Sequence, residues 1–147
     1  MDETDRAVGY SSTQGVLDGL KAYAVESIYM ECCDFSFLDA QNATWKLVSE
    51  HEDIDAIICA TDRIAFGAYR VLKKKGYSIP DDVSVVGFGG YEEGKLISPE
   101  LTTLMFDSYE MGELAAETIT DMVEGRKVHP KQEIAYTFIE RNSVNAR

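Results

Sequence analysis

The sequence predicts an α/β fold in which a mostly parallel sheet carries helices on both faces. Two short apolar runs, Asp55–Ala60 and Val83–Phe88, flank a stretch whose apolar residues recur at helical spacing. Continuous apolar runs of this length are typical of strands that are buried on both faces. A strand, a helix and a strand in this order form a βαβ unit, so we expect the two strands to be parallel with a right-handed crossover.

The helix of this unit has a clear signal at each end. Thr61 and Asp62 can accept hydrogen bonds from the free amides that open a helix, and Gly76 can take the left-handed conformation that ends one. Ligands of parallel sheets bind beyond the carboxyl ends of the strands. We therefore expect a binding site formed by residues 60–62 and 88–90.

The other elements are predicted from the same two periodicities. Helices are expected at 15–23, 38–51, 91–97 and 108–124, and strands at 27–33, 101–105 and 133–140. Asp107 or Ser108 can cap the last of these helices, and Gly125 can end it. Residues 6–10 are compatible with either a short strand or the first turns of a helix.

Composition restricts the class of protein. The chain has 147 residues, enough for one domain with a core, and its net charge of −12 argues against direct binding of nucleic acid or of an anionic membrane. Three cysteines without C-x-x-C spacing favour free thiols in a reducing compartment. No apolar run approaches the ~20 residues of a membrane span, and the first residues lack the apolar core of a secretion signal. We expect a cytoplasmic protein with no membrane partner.

Three groups of residues could carry chemistry, and each has a simpler structural explanation. Gly87–Gly90 resembles the start of a G-x-G-x-x-G dinucleotide loop, but Glu92 stands at the third glycine. Asp53, Asp55 and Asp62 could hold a divalent metal or accept a phosphoryl group, but solvation of the strand start and capping of the helix explain them as well. Lys73–Lys75 suit the carboxyl end of a helix. No nucleophile is paired with a base, so we expect no catalytic residue, no metal and no cofactor.

Five segments share their order and spacing with one known family. They are Ala60–Ala68 (ND-x-x-A-x-G-A), Gly76–Phe88 (G-x-x-v-P-x-D-v-s-v-v-G-f), Ser98–Thr103 (P-x-LTT), Met111–Ala115 (mG-x-x-A) and Ile139–Ser143 (l-x-x-R-x-S). With these segments the chain resembles the LacI/GalR family of bacterial sugar-responsive transcription regulators. Its Gly-Phe-Gly-Gly-Tyr stretch is most similar to repressors of sucrose or related sugar operons.

The resemblance implies part of a periplasmic-binding-protein-like effector domain with no catalytic activity. Residues 1–104 and 133–147 would form the C-terminal lobe, residues 105–132 would belong to the N-terminal lobe, and the DNA-binding domain of relatives would be absent. The implied function is sugar sensing and dimerisation in a transcriptional regulator, often a repressor. The implied partners are a small carbohydrate effector, a second copy of the chain, and operator DNA reached only through the missing N-terminal domain.

This organisation leaves one helix without its usual cover. We expect helix 108–124 to pack on the surface of this lobe or to exchange with another copy, because large apolar patches rarely stay exposed. With half of the cleft missing, we also expect the isolated chain to bind sugar weakly.

The resemblance assigns four effector-site residues that match the family. Thr61 and Asp62 correspond to the polar pair at the end of the central strand. Phe35 corresponds to an aromatic ring that stacks on the sugar, and Phe106 falls where the chain crosses between the lobes.

Two further effector-site positions depart from the family. Gly89 stands where an Asp commonly bonds sugar hydroxyls. Ser12 stands where an Arg usually does so, in the alignment anchored on Gly15-Val16, whereas Arg6 is the match if the register moves to Gly9-Tyr10. Two other interpretations stay open: a sugar-binding component of a transporter, and a small α/β enzyme or phosphoacceptor domain.

Overall fold

The computed structural model describes residues 9–129 and 133–145. Within them the chain forms a four-stranded sheet, four α-helices and one short 3₁₀ helix. The helices are α1 (Gly9–Ala22), α2 (Phe37–Glu50), α3 (Asp62–Lys75) and α4 (Ser108–Val123), with the 3₁₀ helix at Glu92–Lys95, and the strands are β1 (Ala56–Ile58), β2 (Ser84–Phe88), β3 (Thr102–Phe106) and β4 (Tyr136–Ile139).

The strands follow the order β1-β2-β3-β4 across the sheet, with the first three parallel and β4 antiparallel to β3. Ile58 pairs with Val86, and Phe88 pairs with Leu104, so neighbouring strands are in close register at their carboxyl ends. The α/β class, the mostly parallel sheet and the parallel β1–β2 pair are confirmed.

The core lies around α3, which packs on the sheet on one side and on α2 on the other. Leu72 of α3 and Val85 of β2 are fully buried. Gly67 allows the two helices to approach, because a Cβ there would lie 2.7 Å from the Cβ of Ala40. As expected, the Thr61 side chain caps α3, and Gly76 ends it at φ 88°.

The closing R-x-S segment fastens the end of the chain to the middle of the sheet. The buried Ser143 hydroxyl donates to the carbonyl of Val85 (2.6 Å) and accepts from the amide of Thr102 (2.8 Å). The Arg141 guanidinium donates to the carbonyl of Leu101 at 2.8 Å. The motif thus stabilises the fold, since the two side chains bond main-chain groups in β2, in β3 and directly before β3.

The strand expected at 27–33 is not formed. This stretch has no regular secondary structure and belongs to no ladder, and its side chains make contacts with neighbouring residues instead. The Tyr29 ring stacks on His51 with centroids 3.6 Å apart, its hydroxyl donates to Asp53 at 3.0 Å, and Lys46 pairs with Glu31. A cavity of about 240 Å³ is lined by this stretch together with residues of α1, α2 and β1.

The structure decides between alternatives that the sequence left open for two helices. Helix α1 begins at Gly9, so residues 9 and 10 form the first turn of a helix rather than a strand; residues 6–8 of that stretch lie outside the described residues. Helix α4 begins and ends close to the predicted bounds but buries none of its residues, so it does not pack on the surface of the lobe. Exchange of this helix with another copy stays a prediction.

In the part of the chain that the structure covers, no helix has both the length and the hydropathy needed to cross a bilayer.

Candidate functional site

The carboxylate of Asp62 joins three elements at the carboxyl ends of the strands. Asp62 is the first residue of α3 and is fully buried. Its Oδ1 accepts from the hydroxyl of Thr103 in β3 at 2.6 Å, and its Oδ2 accepts from the amide of Tyr91, after β2, at 2.7 Å. These bonds to an ionisable oxygen are short and fix the position of the loop after β2.

Gly87 provides the space that this arrangement needs. A Cβ on Gly87 would lie 2.2 Å from Oδ1 of Asp62 and 3.2 Å from its Cα. Any side chain at position 87 would therefore displace the first turn of α3 from the sheet. Gly87 is therefore required for the packing of α3 on the sheet. The same glycine begins the stretch that resembles a dinucleotide-binding loop.

The loop that follows β2 depends on two glycines in the left-handed half of conformational space. Gly89 has φ 133° and Gly90 has φ 72°, which side-chain-bearing residues rarely adopt. The amide of Gly89 donates to the carbonyl of Leu104 at 2.8 Å, so the loop stays attached to β3 beyond the last ladder pair. A Cβ on Gly90 would meet the Met105 side chain at 2.4 Å.

The buried state of Asp62 bears on the enzyme and metal hypotheses. A phosphoacceptor or metal-binding carboxylate must present an oxygen to its ligand, whereas both oxygens of Asp62 are occupied by protein donors and its side chain is shielded from solvent. Among the described residues, no three His, Cys, Asp or Glu side chains are grouped as a metal site. The carboxylate serves to position the surrounding loops.

Cys59 lies at the end of β1 beside this network and is also buried. Burial, followed by the nearby Cys33 thiol and the Asp62 carboxylate, raises the pKa of Cys59 to about 12. The thiol therefore stays protonated at neutral pH and acts as a small apolar side chain rather than as a nucleophile. All three cysteines are free, as expected.

Three other expected site residues lie at the ends of different elements. Thr61 accepts from the amide of Ile64, so its hydroxyl oxygen is already used as the α3 cap. Phe106 ends β3 directly after Met105 and is 40% exposed. Phe35 precedes α2 and is 49% exposed.

The loop that carries Phe35 is ordered by its own polar groups. Asp34 accepts from the amide of Ser36, and Ser36 caps α2. Hydrogen bonds from the side chain and the backbone of Ser36 lower the pKa of Asp34. Among the described residues, the hydrogen bonds of the Asp62 network do not extend to this loop.

Ser12 is the expected effector-site position in the alignment anchored on Gly15-Val16. Because α1 begins at Gly9, Ser12 lies inside the helix and is exposed. The start of the helix instead fits the register anchored on Gly9-Tyr10, in which Arg6 is the matching residue. Arg6 lies outside the described residues, so its part in the site stays a prediction.

Sequence reasoning missed the two residues that bond Asp62. The sequence pattern predicts Thr103 only as part of a strand, and Tyr91 only as the start of a short helix. A signal for Thr103 was present, since consecutive threonines in a buried strand face opposite sides and each hydroxyl needs a partner. Thr102 and Thr103 are both fully buried, and the first accepts from the amide of Arg141 at 3.0 Å. No sequence pattern near Tyr91 indicated that its amide bonds Asp62.

Comparison with known proteins agrees with this architecture. The periplasmic binding protein-like domain family matches residues 3–144. The HTH-type transcriptional regulator IpsA of Corynebacterium glutamicum is 33% identical over 99 residues, which are 67% of this chain and 27% of that protein. The sucrose operon repressor of Escherichia coli is 39% identical over 108 residues, 71% of this chain and 32% of that protein.

A solved structure shows the same fold. A LacI family transcriptional regulator from Enterococcus faecium, with bound ribose, superposes with a TM-score of 0.81 at 25% identity, covering 92% of this chain and 51% of that one. The chain thus spans less than a third of the two curated relatives and about half of the solved one. It belongs to the periplasmic binding protein-like domain family, in the form that LacI/GalR transcription regulators use as their effector-binding domain.

Proposed function

We propose that this chain is the effector-sensing part of a LacI-type transcriptional regulator, in which a small carbohydrate is bound and no bond is made or broken. The observation that carries the proposal is the preformed wall at the carboxyl ends of β1, β2 and β3, held together by the buried carboxylate of Asp62. Its relatives are transcription regulators rather than enzymes, one of them a sucrose operon repressor and another solved with ribose.

The wall has the chemistry that sugar recognition requires, namely polar groups beside aromatic surfaces. The hydroxyl proton of Thr61 and the carbonyls of Gly89 and Gly90 would supply polar groups, since the amides of both glycines already donate within the protein. The exposed rings of Phe35 and Phe106 would supply apolar surface. We assign Asp62 a positioning role: it holds the loop after β2 against β3 and does not itself contact the ligand.

We further propose that the ligand acts by drawing this lobe towards a second one. Helix α4 buries none of its residues, which supports the assignment of the helical part of segment 105–132 to the opposite lobe. Met105 and Phe106, at the start of that segment, pair with β4 in the sheet of this lobe, and residues 130–132 lie outside the described residues. Closure would shift a homodimer between states with different affinity for operator DNA, and such couplings are typically about 1–3 kcal/mol. DNA contact would come from an N-terminal domain, and the protein would work in the cytoplasm.

A titration of the ¹⁵N-labelled chain tests the proposal. Sucrose, ribose and cellobiose are added in steps to high millimolar concentration, and glycine betaine serves as the control for viscosity and osmotic effects. We expect at least one sugar to cause saturable amide shifts at residues 60–62 and 88–91. A folded chain whose strand-end amides respond to no sugar, or respond equally to betaine, would refute the sensing function.

A further inference from the structure

The loop after β2 is built around the ring of Tyr91. A Cβ on Gly89 would lie 2.7 Å from Cε1 and 3.0 Å from Cδ1 of this ring. The ring thus covers the Cα of Gly89 and fills the space into which a side chain at position 89 would project. Because Gly89 also has φ 133°, any other residue there would be strained as well as crowded.

Tyr91 is held firmly on the side of its main chain. Its amide donates to the buried Asp62 at 2.7 Å, and its carbonyl accepts from the amide of Gly94 at 3.0 Å, which starts the 3₁₀ helix. The side chain nevertheless remains 44% exposed. A fixed backbone beneath a half-exposed ring gives a rigid aromatic surface, and such surfaces lose little conformational entropy on binding.

We propose that Tyr91 is a ligand platform at this wall and determines specificity: its ring stacks on the C–H face of a neutral sugar ring. The inference rests on the proposed function, since it names a contact residue within the same site. A glycine at position 89 removes any carboxylate acceptor there, and the ring of Tyr91 supplies apolar surface in its place. The loop therefore favours a sugar with a flat, exposed C–H face over one recognised through a charged hydrogen-bond partner.

Three variants of the 147-residue chain test this platform in the same NMR titration, with the sugar that binds the wild type. Tyr91→Phe keeps the ring, Tyr91→Ala removes it, and Tyr23→Ala removes an exposed tyrosine that follows α1 and belongs to none of the strand ends. We expect Tyr91→Ala to weaken binding by about three- to tenfold, as the loss of one stacked ring implies. Tyr91→Phe and Tyr23→Ala should bind within about twofold of the wild type, since the stacked ring is retained in both.

The outcomes separate this inference from the function on which it rests. If the wild type binds a sugar and Tyr91→Ala binds it equally well, the platform is refuted and the sensing function stands. If the wild type binds none of the sugars, both fail. Should Tyr91→Ala not fold, saturation transfer in the wild type decides: transfer from the assigned Tyr91 ring to the C–H protons of the sugar supports the platform, and no transfer refutes it.

Discussion

Helices α3 and α4 have similar lengths and both carry an apolar stripe, yet the molecule uses them in opposite ways. Eight residues of α3 are buried, among them Asp62, Ala68 and Leu72, whereas α4 has no buried residue. Met122 and Ile119 of α4 remain mostly exposed. Helical periodicity therefore reveals that a helix has a face to bury, but the element that covers this face is decided elsewhere in the protein.

The difference has an energetic consequence within this chain. Burial of a large apolar side chain stabilises a fold by roughly 1.5–3 kcal/mol, so α3 contributes strongly to the free energy of unfolding. The apolar side chains of α4 contribute little until a second surface covers them. Paired substitutions in the two helices should make this contrast measurable.

The largest difference is expected from apolar truncation. Leu72→Ala should lower the free energy of unfolding by about 2–5 kcal/mol, because it leaves a cavity in the core. Met122→Ala, at a side chain that is 60% exposed, should change it by less than about 0.5 kcal/mol. Urea unfolding followed by far-UV circular dichroism measures both. Equal losses would mean that α4 is packed in solution.

Loss of a single hydroxyl is expected to have the next largest effect. Thr103→Val removes the donor to the buried Asp62 carboxylate and should destabilise the chain by about 1.5–3 kcal/mol. Thr120→Val on α4 also removes a hydroxyl, one that bonds the carbonyl of Ala116 at an exposed position, and should be nearly neutral. The same unfolding assay compares them. A neutral Thr103→Val would show that Asp62 does not depend on this bond.

The same substitution should have opposite signs in the two helices. Gly67→Ala places a methyl group 2.7 Å from the Cβ of Ala40 and should cost about 1–3 kcal/mol despite the better helix propensity of alanine. Gly112→Ala meets no atom within 4 Å and should stabilise α4 by up to about 1 kcal/mol. Thermal unfolding of both variants checks the signs, and a stable Gly67→Ala would refute the close α2–α3 packing.

The smallest expected effect depends on pH. Burial raises the pKa of Cys59 to about 12, above that of a thiol in the unfolded chain. The protonated thiol therefore contributes to the free energy of unfolding in full below pH ~8.5. This contribution is lost as pH rises towards 12, and about 1 kcal/mol of it is lost by pH 9.5. Cys59→Ala should flatten this decline between pH 8 and 9.5, whereas Cys32→Ala, at an exposed thiol, should leave it unchanged. Identical slopes for the two variants would contradict the assignment.

The elements that the sequence predicted well are those whose signals lie within a few residues. The Thr61 cap, the Gly76 stop and the Asp107 cap of α4 are each satisfied by near neighbours, and the bounds of α3 and α4 are close to those expected. The prediction of a strand at 27–33 was wrong, because a ladder needs a strand distant in sequence as its partner. Side-chain contacts, such as the hydrogen bond from Tyr29 to Asp53, hold this stretch instead.

The sequence predicted which strand ends meet, but it did not predict the hydrogen bonds that join them. Parallel strands bring their carboxyl ends together whatever their side chains are, so residues 60–62 and 88–90 were expected to meet. The burial of Asp62 was not foreseen, because its partners Tyr91 and Thr103 lie 29 and 41 residues away.

By itself, the sequence determined the βαβ unit, the family to which the chain belongs and the edge of the sheet at which residues 60–62 and 88–90 meet, since periodicity, caps and motif spacing are local properties. Only the tertiary structure decided that Asp62 faces inward, that the ring of Tyr91 fills the space beside Gly89, and that α4 remains uncovered. Each of these depends on which remote atoms come into contact, and contact at a distance follows from packing rather than from local pattern.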